Sequence, residues 1–367
     1  MRDRSSALRP SFDYLNFLLI GCSFGSTRAP LGEVIRGKSQ AQGVPRPWAF
    51  AIYAALLLLS WPTRGYAQTV EGVVIVGGNS QWVAVNPVTN KIYAVNTNPT
   101  GSVSVIDGVT FKLTATVTVG NDPVGIAINP ITNKIYVAGG LGNLTVIDGA
   151  TNTTTTVTTG TEPYAIALNP VTNKIYVADY GGNAVIAIDG VTNATTTVAV
   201  GGHPEYLAVN PVTNTIYVAV PYNNAVTVIN GATNATASVA VGTFPNSVAV
   251  NQVTNTIYTA NLSSNNVTVI NGATNATATV PGGTNPYTVA VNPVTNKIYV
   301  ADGVNSVMVI DGASNATTSV TVPSIPDDIV VNPNTNQIYL STGSTLTVID
   351  GATNAANSIT APGGPWR

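Results

Sequence analysis

The amino-acid sequence predicts an all-β fold, a seven-bladed β-propeller of four-stranded antiparallel blades. Two observations predict it. The chain of 367 residues is rich in Val, Thr, Asn and Gly, with only 8% charged residues, and a unit of about forty residues recurs seven times, the period of a propeller blade. Val and Thr suit pleated strands, whereas Asn and Gly suit tight turns. Long amphipathic helices need more Lys, Glu, Leu and Arg than this composition offers.

The repeat is marked by a tyrosine near the middle of each unit. The tyrosines are Tyr93, Tyr136, Tyr176, Tyr217, Tyr258, Tyr299 and Tyr339, in strings related to NPVTNKIYVA. A second phrase, VIDG, IDGATN or INGATN, follows at a constant interval in every copy, near Ile106, Ile147, Ile188, Ile229, Ile270, Ile310 and Ile349. Seven copies of one supersecondary unit predict a closed ring, because a single blade cannot bury both its faces.

One unit predicts four short strands, here named a to d. In the second unit they are Val124–Ile128, Lys134–Ala138, Asn143–Ile147 and Thr153–Thr158. The a–b turn, NPITN, and the c–d turn, DGATN, have the residues of tight turns. Strand d is rich in Thr and Val, as expected at an exposed outer edge. Strand a carries a small residue at one equivalent position, mostly Ala, which lets neighbouring blades approach closely.

The ends of the propeller leave one detail open. Val73–Gly77 has the pattern of a d strand placed before the first a strand, and Asn357–Ala361 has a weaker one. One of the two must complete the seventh blade. Because its β-composition is better, we expect the N-terminal strand to do so.

The N-terminal segment predicts export. Trp48–Trp61 is an uninterrupted apolar or small stretch, with Arg46 before it and Gly-Tyr-Ala after it. This pattern indicates a signal peptide over residues 46–67, cleaved after Ala67, and it is short for a membrane span. The mature chain is therefore expected outside the cytoplasm, in the periplasm, at the cell surface or secreted, without a membrane span.

Three segments follow from this interpretation. Residues 1–45 are expected to be a disordered extension or not translated, residues 46–67 the signal peptide, and residues 68–367 the propeller. Two alternatives remain open at the N-terminus. In the first, the apolar stretch stays uncleaved and anchors the chain in the membrane. In the second, Cys22, in the string LIGC, is a lipoprotein acylation site.

The repeats resemble those of the YVTN β-propeller family, named for a Tyr-Val-Thr-Asn tetrad. The corresponding strings here are YAVN at Tyr93, YVAG at Tyr136, YVAD at Tyr176 and Tyr299, YVAV at Tyr217, YTAN at Tyr258 and YLST at Tyr339. Ala mostly replaces the third-position Thr, so the resemblance depends on the whole repeat, over roughly residues 70–362. It implies a seven-bladed propeller, often of cell envelopes or surface layers. It implies no single activity.

Strand polarity separates two faces of the predicted ring. The a–b and c–d turns share one face, here the turn face, and the b–c loops and d–a linkers share the other, here the loop face. The turn face has nearly the same sequence in all repeats. The loop face varies: its linkers read GNDPVG, GTEPYA, GGHPEY, GTFPNS, GTNPYT and PSIPDD. Variable loops on a rigid scaffold are where binding sites occur, so the loop face is the candidate site; sequence drift is the alternative.

Candidate binding residues are the loop-face side chains with aromatic rings or polar groups. They are Tyr164, Tyr180, His203, Glu205, Tyr222, Phe244, Tyr287 and Asp327. Aromatic rings there suit stacking on a sugar or peptide, and carboxylates accept hydrogen bonds. We therefore expect a protein, peptide or glycan ligand, and no cofactor.

Several classes of chemistry lack their residues. His203 is the only histidine, so no His-ligated metal cluster forms within one chain. Residues 68–367 hold six Lys or Arg against thirteen acids, which argues against nucleic-acid binding. The Asp or Asn of each c–d turn either caps the turn or binds Ca²⁺, and the turn cap is the interpretation we prefer. Asp327 and Asp328 form the better carboxylate pair for a metal or for acid–base chemistry.

The sequence thus favours a monomeric binding, adhesion or scaffolding module of the cell envelope over an enzyme. One rival is a propeller hydrolase, lyase or lactonase-like enzyme that uses channel-mouth carboxylates and a divalent ion. Another is a structural envelope component that packs through its Thr-rich outer strands.

Overall fold

The computed structural model describes residues 80–97, 100–342 and 345–360. These residues form 28 strands in seven four-stranded antiparallel sheets. Each sheet follows the order a-b-c-d, and the a strands of successive blades contact one another around a ring. The predicted seven-bladed β-propeller is confirmed.

Each blade is one continuous stretch of chain. Blade 1 contains β1 (Ser80–Asn86), β2 (Lys91–Asn96), β3 (Ser102–Asp107) and β4 (Leu113–Thr118), and blade 2 contains β5 (Pro123–Asn129), β6 (Lys134–Gly139), β7 (Asn143–Asp148) and β8 (Thr154–Thr158). Blade 3 contains β9 (Pro163–Asn169), β10 (Lys174–Asp179), β11 (Ala184–Asp189) and β12 (Thr195–Ala199), and blade 4 contains β13 (Tyr206–Asn210), β14 (Thr215–Val220), β15 (Ala225–Asn230) and β16 (Thr236–Ala240). Blade 5 contains β17 (Pro245–Asn251), β18 (Thr256–Asn261), β19 (Asn266–Asn271) and β20 (Thr277–Pro281), and blade 6 contains β21 (Thr288–Asn292), β22 (Lys297–Ala301), β23 (Ser306–Asp311) and β24 (Thr317–Thr321). Blade 7 contains β25 (Asp328–Asn332), β26 (Gln337–Thr342), β27 (Thr345–Asp350) and β28 (Ala356–Thr360).

The strand bounds predicted for the second unit are confirmed to within one residue at each end. Strand d is the exposed outer strand, since in β8 only Val157 is buried. One short 3-10 turn, Pro221–Asn223, lies in the b–c loop of blade 4. Within the described ranges, no helix has the length and hydropathy that a bilayer span requires.

The repeated tyrosine and the repeated small residue of strand a form one packing unit. In blade 2, Tyr136 lies directly opposite Ala127 in the sheet register and is fully buried. Its ring packs with Ile166 and Ile175 of blade 3. The alanine leaves room for the tyrosine, whose large ring fills the space between blades, so close packing joins each blade to the next.

A ladder of asparagine side chains joins the blades at the turn face. The last residue of strand a donates a hydrogen bond from Nδ2 to Oδ1 of the asparagine that ends the a–b turn of the next blade, over 2.7 to 2.9 Å. The pairs are Asn86 with Asn133, Asn129 with Asn173, Asn169 with Asn214, Asn210 with Asn255, Asn251 with Asn296, and Asn292 with Asn336. These contacts explain why NPVTN varies so little between repeats.

The c–d turns complete the turn face. Asp148 Oδ1 accepts hydrogen bonds from the backbone N–H groups of Ala150 and Thr151, which is the turn cap preferred from the sequence. The glycine after each such residue is required by close approach. At Gly190, an added Cβ would lie 2.5 Å from Asn173 Oδ1 and 2.6 Å from its carbonyl oxygen, so any larger residue displaces the ladder.

The expected closure of the ring is wrong. The fourth strand of blade 7 is the C-terminal β28, paired with β27; Val73–Gly77 lies outside the described residues. The physical reason is local. Asp350 caps the c–d turn through Ala352 and Thr353, so a short hairpin closes blade 7 with little loop entropy, whereas the N-terminal strand would have to close a loop that contains nearly the whole chain.

Candidate functional site

The loop face is built from d–a linkers hydrogen-bonded to the b–c loops of the neighbouring blade. The backbone N–H of His203 donates to Asn183 Oδ1 at 2.8 Å, and that of Phe244 donates to Asn224 Oδ1 at 3.0 Å. In blade 3, the N–H of Tyr180 donates to the carbonyl oxygen of Glu162 at 2.8 Å. Each linker is therefore held by a loop, and the side chains that vary stand on a fixed backbone.

Two of these side chains occupy a backbone conformation that usually selects Gly or Asn. His203 has φ 54° and Phe244 has φ 58°. The equivalent residue in two other linkers is Asp122 or Asn285, also with positive φ. A ring-bearing residue in the left-handed region costs more than Asn or Asp does. The linkers of blades 4 and 5 thus present aromatic side chains at some energetic cost, a pattern typical of functional sites.

Six rings form a continuous row, here the aromatic arc, across blades 3, 4 and 5. In spatial order they are Tyr206, Tyr164, Tyr180, His203, Tyr222 and Phe244. Successive ring centroids lie 6.0, 5.7, 4.4, 5.1 and 5.8 Å apart. Separations of this size are those of interacting aromatic pairs. The structure therefore brings together five of the eight candidate residues in one surface.

Polar contacts fix the middle of the arc. His203 Nδ1 donates to the carbonyl oxygen of Tyr180 over 3.0 Å, and the Tyr180 hydroxyl donates to the Tyr222 hydroxyl over 3.5 Å. The hydrogen bond with Tyr222 raises the pKa of Tyr180, and burial raises it further by a smaller amount. Tyr222 itself is 56% exposed. The arc thus consists of partly exposed residues on a rigid support, of which Tyr222 is the most exposed.

The arc leads into the central channel at Glu205 and Tyr206. Glu205 is buried, with 8% of its surface exposed, and desolvation raises the pKa of its carboxyl group to about 7. Burial raises the pKa of Tyr206 well above its usual value, and the charges of Tyr164, Tyr287, Asp328 and Glu205 add to that rise. Side chains from blades 3, 4, 6 and 7 are therefore close enough to interact electrostatically with Tyr206.

The remaining candidates lie on the far side of this mouth. Tyr287 is half-buried and accepts a hydrogen bond at its carbonyl oxygen from Asn246 Nδ2, over 2.8 Å. Asp327 is exposed at the rim of blade 7. Its neighbour Asp328 faces the channel, where solvent reaches it, yet the surrounding strands desolvate the carboxyl group and raise its pKa to about 6.

The sequence reasoning does not select Tyr206, which joins the arc to the channel. A signal for it exists: the second residue after the linker proline also varies, as Gly125, Ala165, Tyr206, Ser247, Thr288 and Asp328. This second position packs toward the neighbouring blade, as Ser247 does through the Val289 N–H, and in blade 4 it carries the ring that contacts Tyr164. Among the described residues, no three His, Cys, Asp or Glu side chains group in a way that suits a metal ion.

Comparisons with known proteins show the fold. No protein-family model matches the chain, and no curated protein sequence is significantly similar to it. One similar solved structure is the dihydro-heme d1 dehydrogenase NirN in complex with DHE, with TM-score 0.65 and 15% identity, over 75% of this chain and 65% of that chain. The chain thus spans less than two thirds of the length of this neighbour. Another is the Kuenenia stuttgartiensis hydrazine synthase, with TM-score 0.59 and 18% identity, over 81% of this chain and 99% of that chain. At these identities the likeness extends to the propeller fold alone.

Proposed function

We propose that the chain is a binding module of the cell envelope whose ligand, a peptide or a glycan, lies on the aromatic arc of the loop face. The single observation that carries the proposal is the arc itself, an unbroken row of rings over three blades. Rings of this kind supply large contact area at low entropic cost and stack on sugars and peptide groups. A location outside the cytoplasm is supported by the apolar stretch Trp48–Trp61, and an envelope role by the YVTN-like repeats.

Positioning of the arc supports binding over sequence drift. Drift can place a single ring at positive φ, as at Phe111 of the turn face. It does not account for His203 and Phe244 in successive linkers with their rings connected through Tyr222, since Asn or Gly costs less there. Nor does drift account for five successive ring contacts between separate linkers and loops. A surface that is rigid and aromatic has features of a ligand site.

The test is a binding screen with arc variants and matched controls. The whole chain is screened against arrays of peptides, glycans and cell-wall fragments, and the best probes are measured again with Tyr180→Ala and Tyr222→Ala. Loss of one aromatic side chain that the bound ligand covers should weaken binding at least about tenfold. Leu141→Ala is the control on the loop face and Val171→Ala the control on the turn face, since both side chains are exposed and lie away from the arc.

Two outcomes contradict the proposal. Probes that bind equally well to wild type and to both arc variants would place the site elsewhere. Probes that lose affinity with Val171→Ala would assign binding to the turn face.

An enzymatic function is a second candidate because of the channel carboxyl groups. Glu205 and Asp328 have pKa values raised to about 7 and about 6, the range in which carboxyl groups serve as general acids or bases. Structural neighbours of the fold are enzymes by name. Turnover that is lost in Glu205→Gln or Asp328→Asn, or on chelation of divalent ions, would favour this candidate. Turnover that survives both changes and the chelator would contradict it.

A further inference from the structure

Glu205 differs from the other buried carboxylates of the loop face. Asp179 accepts hydrogen bonds from the N–H groups of Thr161 and Glu162, each over 2.9 Å, and Asp302 accepts one from the Ser306 hydroxyl. Within the described residues, the carboxylate of Glu205 has no hydrogen-bond partner, although the residue is only 8% exposed. Its oxygens are not among the fully enclosed unpaired atoms, so they open to the channel. There an external cation can stabilise a carboxylate that the protein largely desolvates and leaves unpaired.

The surroundings of Glu205 are aromatic and anionic. Its charge acts on Tyr206 and Tyr287, and the Tyr206 ring contacts that of Tyr164. Asp328 adds a second carboxyl group, whose charge also acts on Tyr206 and Tyr287. Electron-rich ring faces beside carboxylates form the environment that binds organic cations.

The charges of the two faces also favour a cationic ligand at the loop face. The acidic residues of the loop face are Asp122, Glu162, Asp179, Glu205, Asp302, Asp327 and Asp328. The lysines of the described residues, which contain no arginine, lie at the turn face: Lys91, Lys112, Lys134, Lys174 and Lys297. Four of them are engaged there, as Lys174 is with the Gly231 carbonyl oxygen at 2.8 Å. The loop face therefore has an excess of negative charge, which attracts cations.

We infer that the channel mouth binds the positively charged side chain of a lysine or arginine of a peptide ligand, with Tyr164, Tyr206 and Tyr287 around it and Glu205 and Asp328 as its counter-charges. This inference depends on the proposed function and narrows its ligand class to peptides. The rest of the peptide lies on the aromatic arc, which begins at Tyr206.

The shape of the ligand follows from the burial of Glu205. Lysine and arginine have their charge at the end of a thin apolar stem, and such a stem can reach the carboxylate of a residue that is only 8% exposed. An amino sugar has its amine directly on a wide ring, which fits this position less well. A divalent metal ion is disfavoured because the described residues contain no group of three ligating side chains, whereas the rings stabilise an organic cation.

The experiment begins with a random peptide library displayed against the immobilised whole chain. We expect the selected peptides to share a lysine or arginine. Each is then compared by calorimetry with a neutral isostere, citrulline for arginine or norleucine for lysine. The exchange should weaken binding at least about tenfold, as expected for a desolvated charge pair that loses one partner.

Protein variants then test whether Glu205 is the partner of the positive charge of the peptide. Glu205→Gln should weaken binding of the charged peptide at least about tenfold and leave binding of the neutral isostere unchanged, so the two changes are strongly coupled. Asp122→Asn is the matched control: it removes an exposed carboxylate of the same face, and asparagine tolerates the φ of 48° at that position. It should change affinity less than about twofold.

Other outcomes separate the two proposals. Peptides that need Tyr180 and Tyr222 but bind equally well with citrulline and to Glu205→Gln would overturn this inference and leave the proposed function standing. Glucosamine oligomers that bind more tightly than any peptide, with the same dependence on Glu205, would overturn the assignment of a lysine or arginine. Ligands insensitive to every arc variant would overturn the proposed function itself.

Discussion

The two faces of the ring use the same repeat in opposite ways. At the turn face, equivalent positions hold the same residue in nearly every blade, because each one makes a hydrogen bond to the next blade, as Asn129 does to Asn173. At the loop face, equivalent positions hold different residues: blades 4 and 5 present His203 and Phe244 where blades 3, 6 and 7 present Glu162, Asn285 and Ile325. The difference teaches that contact between blades restricts sequence at one face only.

Backbone conformation sharpens this contrast. Both faces contain residues with positive φ, but at the a–b turns the residue is asparagine, for example Asn133 and Asn173, which adopts that region at low cost. At the loop face, His203 and Phe244 adopt it. The a–b turns thus have the residue that adopts this conformation at the lowest cost, whereas two linkers of the loop face have residues that present a ring. Phe111, in the c–d turn of blade 1, is an exception at the turn face.

The largest expected effect comes from breaking the asparagine ladder. Asn210 is fully buried; its Nδ2 donates to Asn255 Oδ1, and its Oδ1 accepts from the N–H of Val212. Asn210→Ala leaves buried polar groups without partners and should lower the free energy of unfolding by about 3 kcal/mol. Urea denaturation measures this.

A matched variant separates the two roles of this residue. Asn210→Asp keeps the oxygen that caps the turn but loses the donor to the next blade, so it should also destabilise, because two oxygens then face each other. A loss below about 1 kcal/mol in both variants would contradict the assignment of inter-blade contacts to this face.

The next largest effect is the pH dependence of stability that Glu205 of the loop face should cause. The carboxyl group of Glu205 has its pKa raised to about 7 by burial, so the folded protein binds a proton that the unfolded chain releases between about pH 4 and 7. The contribution of Glu205 to the free energy of unfolding is therefore fully present below its pKa in the unfolded chain. It is lost as the pH rises through its pKa in the folded protein.

Glu205→Gln should therefore raise the free energy of unfolding at pH 8 by about 2 kcal/mol and leave it unchanged at pH 4. Thermal or urea unfolding at both pH values checks this, with Asp122→Asn as the exposed control. A variant that is destabilised at pH 8 would show that the carboxylate has a stabilising partner, and would contradict its role as an unpaired anionic site.

A smaller effect concerns the core between the two faces. The hydroxyl of Tyr176 is buried without a partner in the described residues, and burial raises the pKa of this group to about 12. In blade 7, the Tyr339 hydroxyl instead donates to Gln337 Oε1 at 2.6 Å. Tyr176→Phe should leave stability unchanged or raise it, whereas Tyr339→Phe should lower it by about 1 kcal/mol. Denaturation curves that show equal losses in both variants would contradict this difference.

The smallest effect on stability is expected in the arc. Tyr222 is largely exposed and its hydroxyl contact is long, so Tyr222→Ala should change the free energy of unfolding by less than about 0.5 kcal/mol. The same variant should lose affinity for arc ligands. A large loss of stability without any loss of affinity would show that the arc serves packing and not recognition.

The sequence predicts the fold well because the repeat supplies seven internal copies of each contact. Equivalents of Tyr136 and of the a–b turn recur in all seven units and those of Ala127 in six, and strand polarity assigns the faces. The ring closure is mispredicted because β-composition was weighed above the short loop that joins β27 to β28. The arc is only partly predictable. Tyr164, Tyr180, His203, Tyr222 and Phe244 vary at loop positions, but their contacts depend on loop conformation, and Tyr206 is recognised only when strand β13 is seen to line the channel.

Hydrogen–deuterium exchange of the whole chain, with and without the tightest selected peptide, tests the division between the faces most directly. The account predicts that the peptide protects the backbone of residues 160–165, 179–183, 201–206 and 220–224 and leaves the a–b turns at 129–133, 169–173 and 210–214 unchanged. Protection of those turns, with unchanged exchange in the linkers and loops of blades 3 to 5, would contradict it.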